Sequence, residues 1–110
     1  MAIRRAFFKL KGAPTKHNHD GPRFWMWFDD RSEAFKWAML LGVPDRVQTD
    51  LHETHQGSGI KGKHEIQVYL KLDDNRLLQV LKKAMELVSE GKLYMHPYAI
   101  SDAKKLLARQ

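Results

Sequence analysis

The stretch with the most motif-like spacing is Gly57-Ser58-Gly59-Ile60-Lys61-Gly62, which fits G-x-G-x-x-G. Dinucleotide chemistry at that spacing needs a strand before the glycines and a helix after them, so that the helix N-terminus receives a pyrophosphate. Here a strand pattern follows the glycines, so that chemistry is excluded. A glycine-rich turn between antiparallel strands also covers the phosphates of protein kinases. However, this sequence has neither HRD nor DFG, and 110 residues cannot hold the remaining kinase parts. What is left is a long hairpin tip. Its glycines supply positive φ, and its Lys61, Lys63 and His64 can meet phosphates without reading bases.

The six histidines suggest metal chemistry only at one place. In a hairpin symmetric about its tip, His55 falls opposite His64, with Glu53 beside them on the same face. Two imidazoles and a carboxylate begin a divalent-metal site, but a third strong ligand and a sheltered cavity are lacking. The expectation is therefore no resident metal or cofactor. Ser58 lacks the strand–turn–helix context of a nucleophile elbow. The pairs Asp29-Asp30 and Asp73-Asp74 suit helix capping, and Asp50 and Glu53 fall on opposite faces of a regular strand. No catalytic constellation emerges, and the chain is expected not to be an enzyme.

Cations and aromatic rings offer a different chemistry. Residues 1–23 carry Arg4, Arg5, Lys9, Lys11, Lys16 and Arg23 against Asp20 alone, a local +5. Within RFWMWF, Phe24, Met26 and Phe28 share one face, while Trp25 and Trp27 share the other. Tyr69 projects to that second face from its own strand. Basic residues beside aromatic rings on a sheet face bind single-stranded nucleic acid by phosphate neutralisation and stacking. The same residue types dominate protein-binding hot spots. A basic first strand also discourages edge-to-edge aggregation.

These residues must be positioned by a small set of elements. Residues 3–11 and 23–28 read as strands, separated by the breaker-rich loop 12–22. Asp30 is placed to cap a helix to about Leu41, with Glu33 completing a capping-box pattern and Gly42 and Pro44 ending it. Residues 46–55 and 64–72 read as a hairpin. In its second arm His64, Ile66, Val68 and Leu70 alternate with polar residues, predicting one buried face. Asp73 or Asp74 caps a second helix ending at Gly91. Residues 92–98 read as extended or irregular, with Pro97 blocking a helix and Ser101 capping a short last one. The order is β-β-α-β-β-α with a terminal helix. It predicts an α+β two-layer sandwich: a mostly antiparallel four-stranded sheet, two main helices on one face and a short C-terminal helix, all in one domain over 1–110.

Composition narrows the setting. Apolar residues make up 43% and charged ones 29%, values that argue against wholesale disorder. Absence of cysteine excludes disulfides, thiol nucleophiles and thiolate metal sites. No apolar segment approaches the roughly 20 residues of a membrane helix, and no signal-peptide core follows Arg4-Arg5. A soluble cytoplasmic protein with no membrane partner is expected. The formal charge of +6 is uneven, since residues 24–60 are net acidic.

The leading expectation is a small basic, non-enzymatic accessory protein. It binds nucleic acid, or a complex that handles it, through the basic strand (Arg4, Arg5, Lys9, Lys11, Lys16, Arg23), the tip (Lys61, Lys63) and the face bearing Trp25, Trp27 and Tyr69. One alternative is a protein-binding inhibitor or regulator of the kind phages and mobile elements encode, acting on a host enzyme. The hydrophobic RFWMWF strand would also suit a homodimer interface. A small metal-dependent enzyme at His55, His64 and Glu53 is the least favoured alternative.

Overall fold

The computed structural model describes residues 3–10, 21–49, 64–69 and 76–109. The fold is α+β, and among the described residues it has a mostly antiparallel four-stranded sheet, three helices and a small parallel pair. The strands are β1 (Arg4–Arg5), β2 (Phe7–Lys9), β3 (Arg23–Phe28), β4 (Val47–Gln48), β5 (His64–Tyr69) and β6 (Leu93–Tyr94). The helices are α1 (Arg31–Leu41), α2 (Arg76–Ser89) and α3 (Pro97–Ala108), and a 3-10 turn spans Pro44–Arg46. The four-stranded sheet runs β2-β3-β5-β4, and all its pairings are antiparallel.

One face of this sheet carries the core. Phe8, Phe24, Met26, Phe28, Ile66 and Val68 are buried against residues of all three helices, among them Trp37, Leu81 and Leu106. The strand alternation placed these residues together, as their spacing predicts. The terminal helix joins the same layer as the two main ones.

The caps of α1 follow the local signals. Asp30 is the N-cap, and its Oδ1 accepts the Ser32 N–H at 3.0 Å. Gly42 adopts φ 81° after the last turn, and the Val43 N–H returns to the Ala38 carbonyl at 2.8 Å. Gly91 (φ 73°) closes α2 in the same way, with the Lys92 N–H on Leu87 at 2.9 Å. Glu33 departs from the capping-box expectation. Its carboxylate is taken by Arg4 rather than by the helix N-terminus.

Two other expectations are revised. The single strand at 3–11 is two short strands, because the chain changes partner at Ala6. Arg4 and Arg5 pair in parallel with Leu93 and Tyr94, whereas Phe7–Lys9 pair antiparallel with β3. The Ala6 N–H donates to the Tyr94 carbonyl at 2.9 Å and completes the first pairing. Residues 93–94, expected to be extended or irregular, take the extended form as strand. The last helix begins at Pro97, not after Ser101. Proline has no N–H to lose at a first helical position, and the His96 Nδ1 caps the turn by accepting from the Tyr98 N–H at 3.1 Å.

Asp73, Asp74 and the hairpin tip lie outside the described residues. Among the described residues, no helix is long and apolar enough to cross a membrane.

Candidate nucleic-acid interface

The second face of the sheet is built from alternate residues of the same strands. Phe7 stands opposite Trp25, and Trp27 stands opposite Glu65. Phe7 stacks on Trp25 with centroids 5.4 Å apart and planes 12° apart, and meets Trp27 at 5.0 Å. The two indoles meet edge-on at 6.2 Å. The Arg23 guanidinium lies 4.1 Å from the centre of the Trp25 ring. Trp25 is consequently only 7% exposed, and Trp27 is half-buried. Little of the Trp25 ring is left open to stack a base. Its ring surface is already occupied by Phe7 and Arg23.

This face is not wholly apolar. The alternation in β5 predicted one buried face, yet Glu65 on the other face is 7% exposed. Burial pushes its carboxyl above the ordinary range, while the Trp27 indole and the Arg23 charge act in the opposite direction. Neither the Trp25 nor the Trp27 indole N–H, both buried, meets a partner in hydrogen-bond geometry.

The basic first strand divides into two kinds of cation. Arg4 forms a two-pronged ion pair with Glu33 of α1, with Nε 2.6 Å from Oε1, and its guanidinium also lies over Phe28. The hydrogen bond from Arg4 holds the Glu33 carboxyl below its usual range. Arg4 thus ties β1 to α1. Arg5 alternates to the other side. It is exposed and sits between two rings, 4.8 Å from Phe7 and 5.5 Å from Tyr94. Lys9 is exposed two strand positions beyond Phe7.

Arg5 and Lys9 border a cleft of about 270 Å³ between β2, at the edge of its sheet, and the first turns of α3. Phe7 and Trp25 form part of its wall, and His96, Tyr98 and Asp102 close it from the helix. Tyr98 is 79% exposed, and its ring leans on His96 with centroids 5.0 Å apart. These three residues are hidden in the sequence by Pro97, which reads as a helix stop. Histidine followed by proline, read as an N-cap and first helical residue, was the available signal.

Of the other candidates, Lys11, Lys16, Lys61, Lys63, His55 and Glu53 lie outside the described residues. The Tyr69 backbone pairs opposite Arg23. His64 is buried on the helix side opposite Phe28, with its Nδ1 lacking a hydrogen-bond partner. No group of three histidine or acidic side chains placed to hold a metal occurs among the described residues. No protein-family model, curated protein or solved structure matches this chain.

Proposed function

We propose that the protein binds single-stranded nucleic acid at the margin formed by its first strand and the start of α3. The observation that carries the reading is the ring-flanked Arg5 beside an exposed Tyr98, with Lys9 at the same cleft. Arg5 and Lys9 neutralise phosphates. The rings of Phe7 and Tyr94 keep the Arg5 guanidinium in place without consuming its hydrogen-bond donors. Tyr98 offers a wet aromatic face for a base. In this reading Trp25 and Trp27 support the margin by packing Phe7 and Arg23, and do not themselves stack bases.

Titrating the protein with fluorescein-labelled (dT)12 and (U)12 across salt concentrations tests the proposal. Affinity should fall steeply with salt, and Lys9→Ala should flatten the log–log slope by roughly 0.7, the contribution of one phosphate contact on a single strand. Failure of both oligomers to bind at low salt rejects it. Recovery of one stoichiometric protein from nuclease-treated lysate, with no oligonucleotide binding, would favour the protein-binding regulator instead.

A further inference from the structure

Asp102 is out of place in a site that only collects phosphates. It lines the same cleft as Arg5 and Lys9, yet among the described residues it forms no ion pair with either. An ionised carboxylate accepts hydrogen bonds and donates none. It repels a phosphate and repels the carbonyl oxygens that dominate the pairing edges of thymine and uracil. What it can receive is an edge presenting N–H groups. Adenine and cytosine offer one amino group beside a ring-nitrogen acceptor. Guanine alone offers two neighbouring donors, its ring N1–H and its exocyclic amino group, spaced to meet both oxygens of one carboxylate.

Resting on the nucleic-acid reading above, we infer that this cleft is a base-reading pocket that selects guanine, with Asp102 as the reading residue. Asp102 projects from α3 one helical turn after Tyr98, so the two share a helix face. A base laid against the Tyr98 ring has its edge within the reach of that carboxylate. The adjoining phosphates then run toward Arg5 and Lys9 on the opposite wall. The division of labour is physical: cations hold the backbone and supply affinity, the ring holds the base plane, and the single anion supplies discrimination.

The test compares three 8-mers of thymidine that differ only at one central position, which is thymine, guanine or hypoxanthine. Hypoxanthine keeps the N1–H and lacks the amino group. The guanine oligomer should bind roughly tenfold more tightly than the all-thymine one, with hypoxanthine between them. Asp102→Asn should erase that ranking, and by removing a charge that repels phosphate it should tighten rather than weaken binding of the all-thymine oligomer. The ligand series needs no variant, so the inference stands or falls even if the substitution perturbs the helix. Equal, salt-dependent binding of all three oligomers overturns the guanine pocket and leaves the wider reading intact. A guanine preference that survives Asp102→Asn also overturns it. No binding of any oligomer at low salt rejects both.

Discussion

The two faces of β3 bury aromatic side chains on different terms. On the helix side Phe24, Met26 and Phe28 are almost wholly buried in the main apolar cluster, with the Arg4 guanidinium over Phe28 and His64 opposite it. On the other side Trp25 and Trp27 are packed by a phenylalanine ring, an arginine and a carboxylic acid, with both indole N–H groups lacking hydrogen-bond partners. Leaving such donors unmet and burying a carboxyl both cost stability. The first face is what a folding core requires. The second sets a carboxyl and a guanidinium among its rings, whereas unmet polar atoms occur on both sides, since the core's Trp37 indole and His64 Nδ1 also lack partners.

Large-to-small substitutions give the widest contrast. Phe28→Ala should destabilise by about 3–5 kcal/mol in urea unfolding, as fully enclosed aromatics do. Trp27→Ala, at a half-buried position, should lose less, on the order of 1–2 kcal/mol. Equal losses would make the second face another core and remove the distinction.

The carboxyl groups sharpen it further through pH. The Glu65 carboxyl binds its proton more tightly in the folded chain than its ordinary value of 4.5. Its stabilising contribution is therefore complete below that value and disappears as pH rises through the folded pKa. Glu65→Gln should accordingly raise the Tm at pH 8 and change it little at pH 4. The exposed Asp45 behaves oppositely. Hydrogen bonds from Arg76 of α2, at 2.5 and 3.0 Å, hold its carboxyl down at about 2. Its contribution is present above its ordinary 3.8 and lost as pH falls toward 2. Asp45→Asn should flatten the acid limb of the Tm profile. The comparison fails if Glu65→Gln lowers the Tm at pH 8.

The smallest expected effects separate adjacent arginines. Arg4→Ala removes the tie to Glu33 and should cost up to about 1 kcal/mol in thermal unfolding. Arg5→Ala should stay within about 0.5 kcal/mol in the same measurement. If the proposed function holds, oligonucleotide affinity should fall for Arg5→Ala and hold for Arg4→Ala. The reverse ranking would mean that the ion pair, not the ring-flanked guanidinium, is the working cation.

Local signals made much of this fold legible. Alternation assigned Phe24, Met26 and Phe28 to one face and Trp25 and Trp27 to the other. Asp30 and Gly42 marked the ends of α1 through the chemistry of its own first and last turns. What remained hidden depended on partners distant in sequence. Nothing near Glu65 indicates that it will stand beside Trp27, and nothing near Leu93 indicates that it will pair with Arg4. Arg5, Lys9 and Arg23 were legible as cations, but Arg4, next to Arg5, could not be told apart from it without Glu33. His96, Tyr98 and Asp102 were obscured by one proline whose helix-starting role competes with its helix-stopping one.

The pairing of Arg4 with Leu93 joins segments separated by nearly the whole chain. Closing so long a loop is entropically unfavourable, and contacts of this kind slow folding. The parallel pair is thus suited to be among the last contacts to form, after α1 has settled on β3 and β5. The cleft sits where that closure happens, with Arg5 on one side and Tyr98 on the other. It exists only in the completed molecule. A ligand spanning it would act as a clasp, coupling occupancy to the persistence of the entire fold.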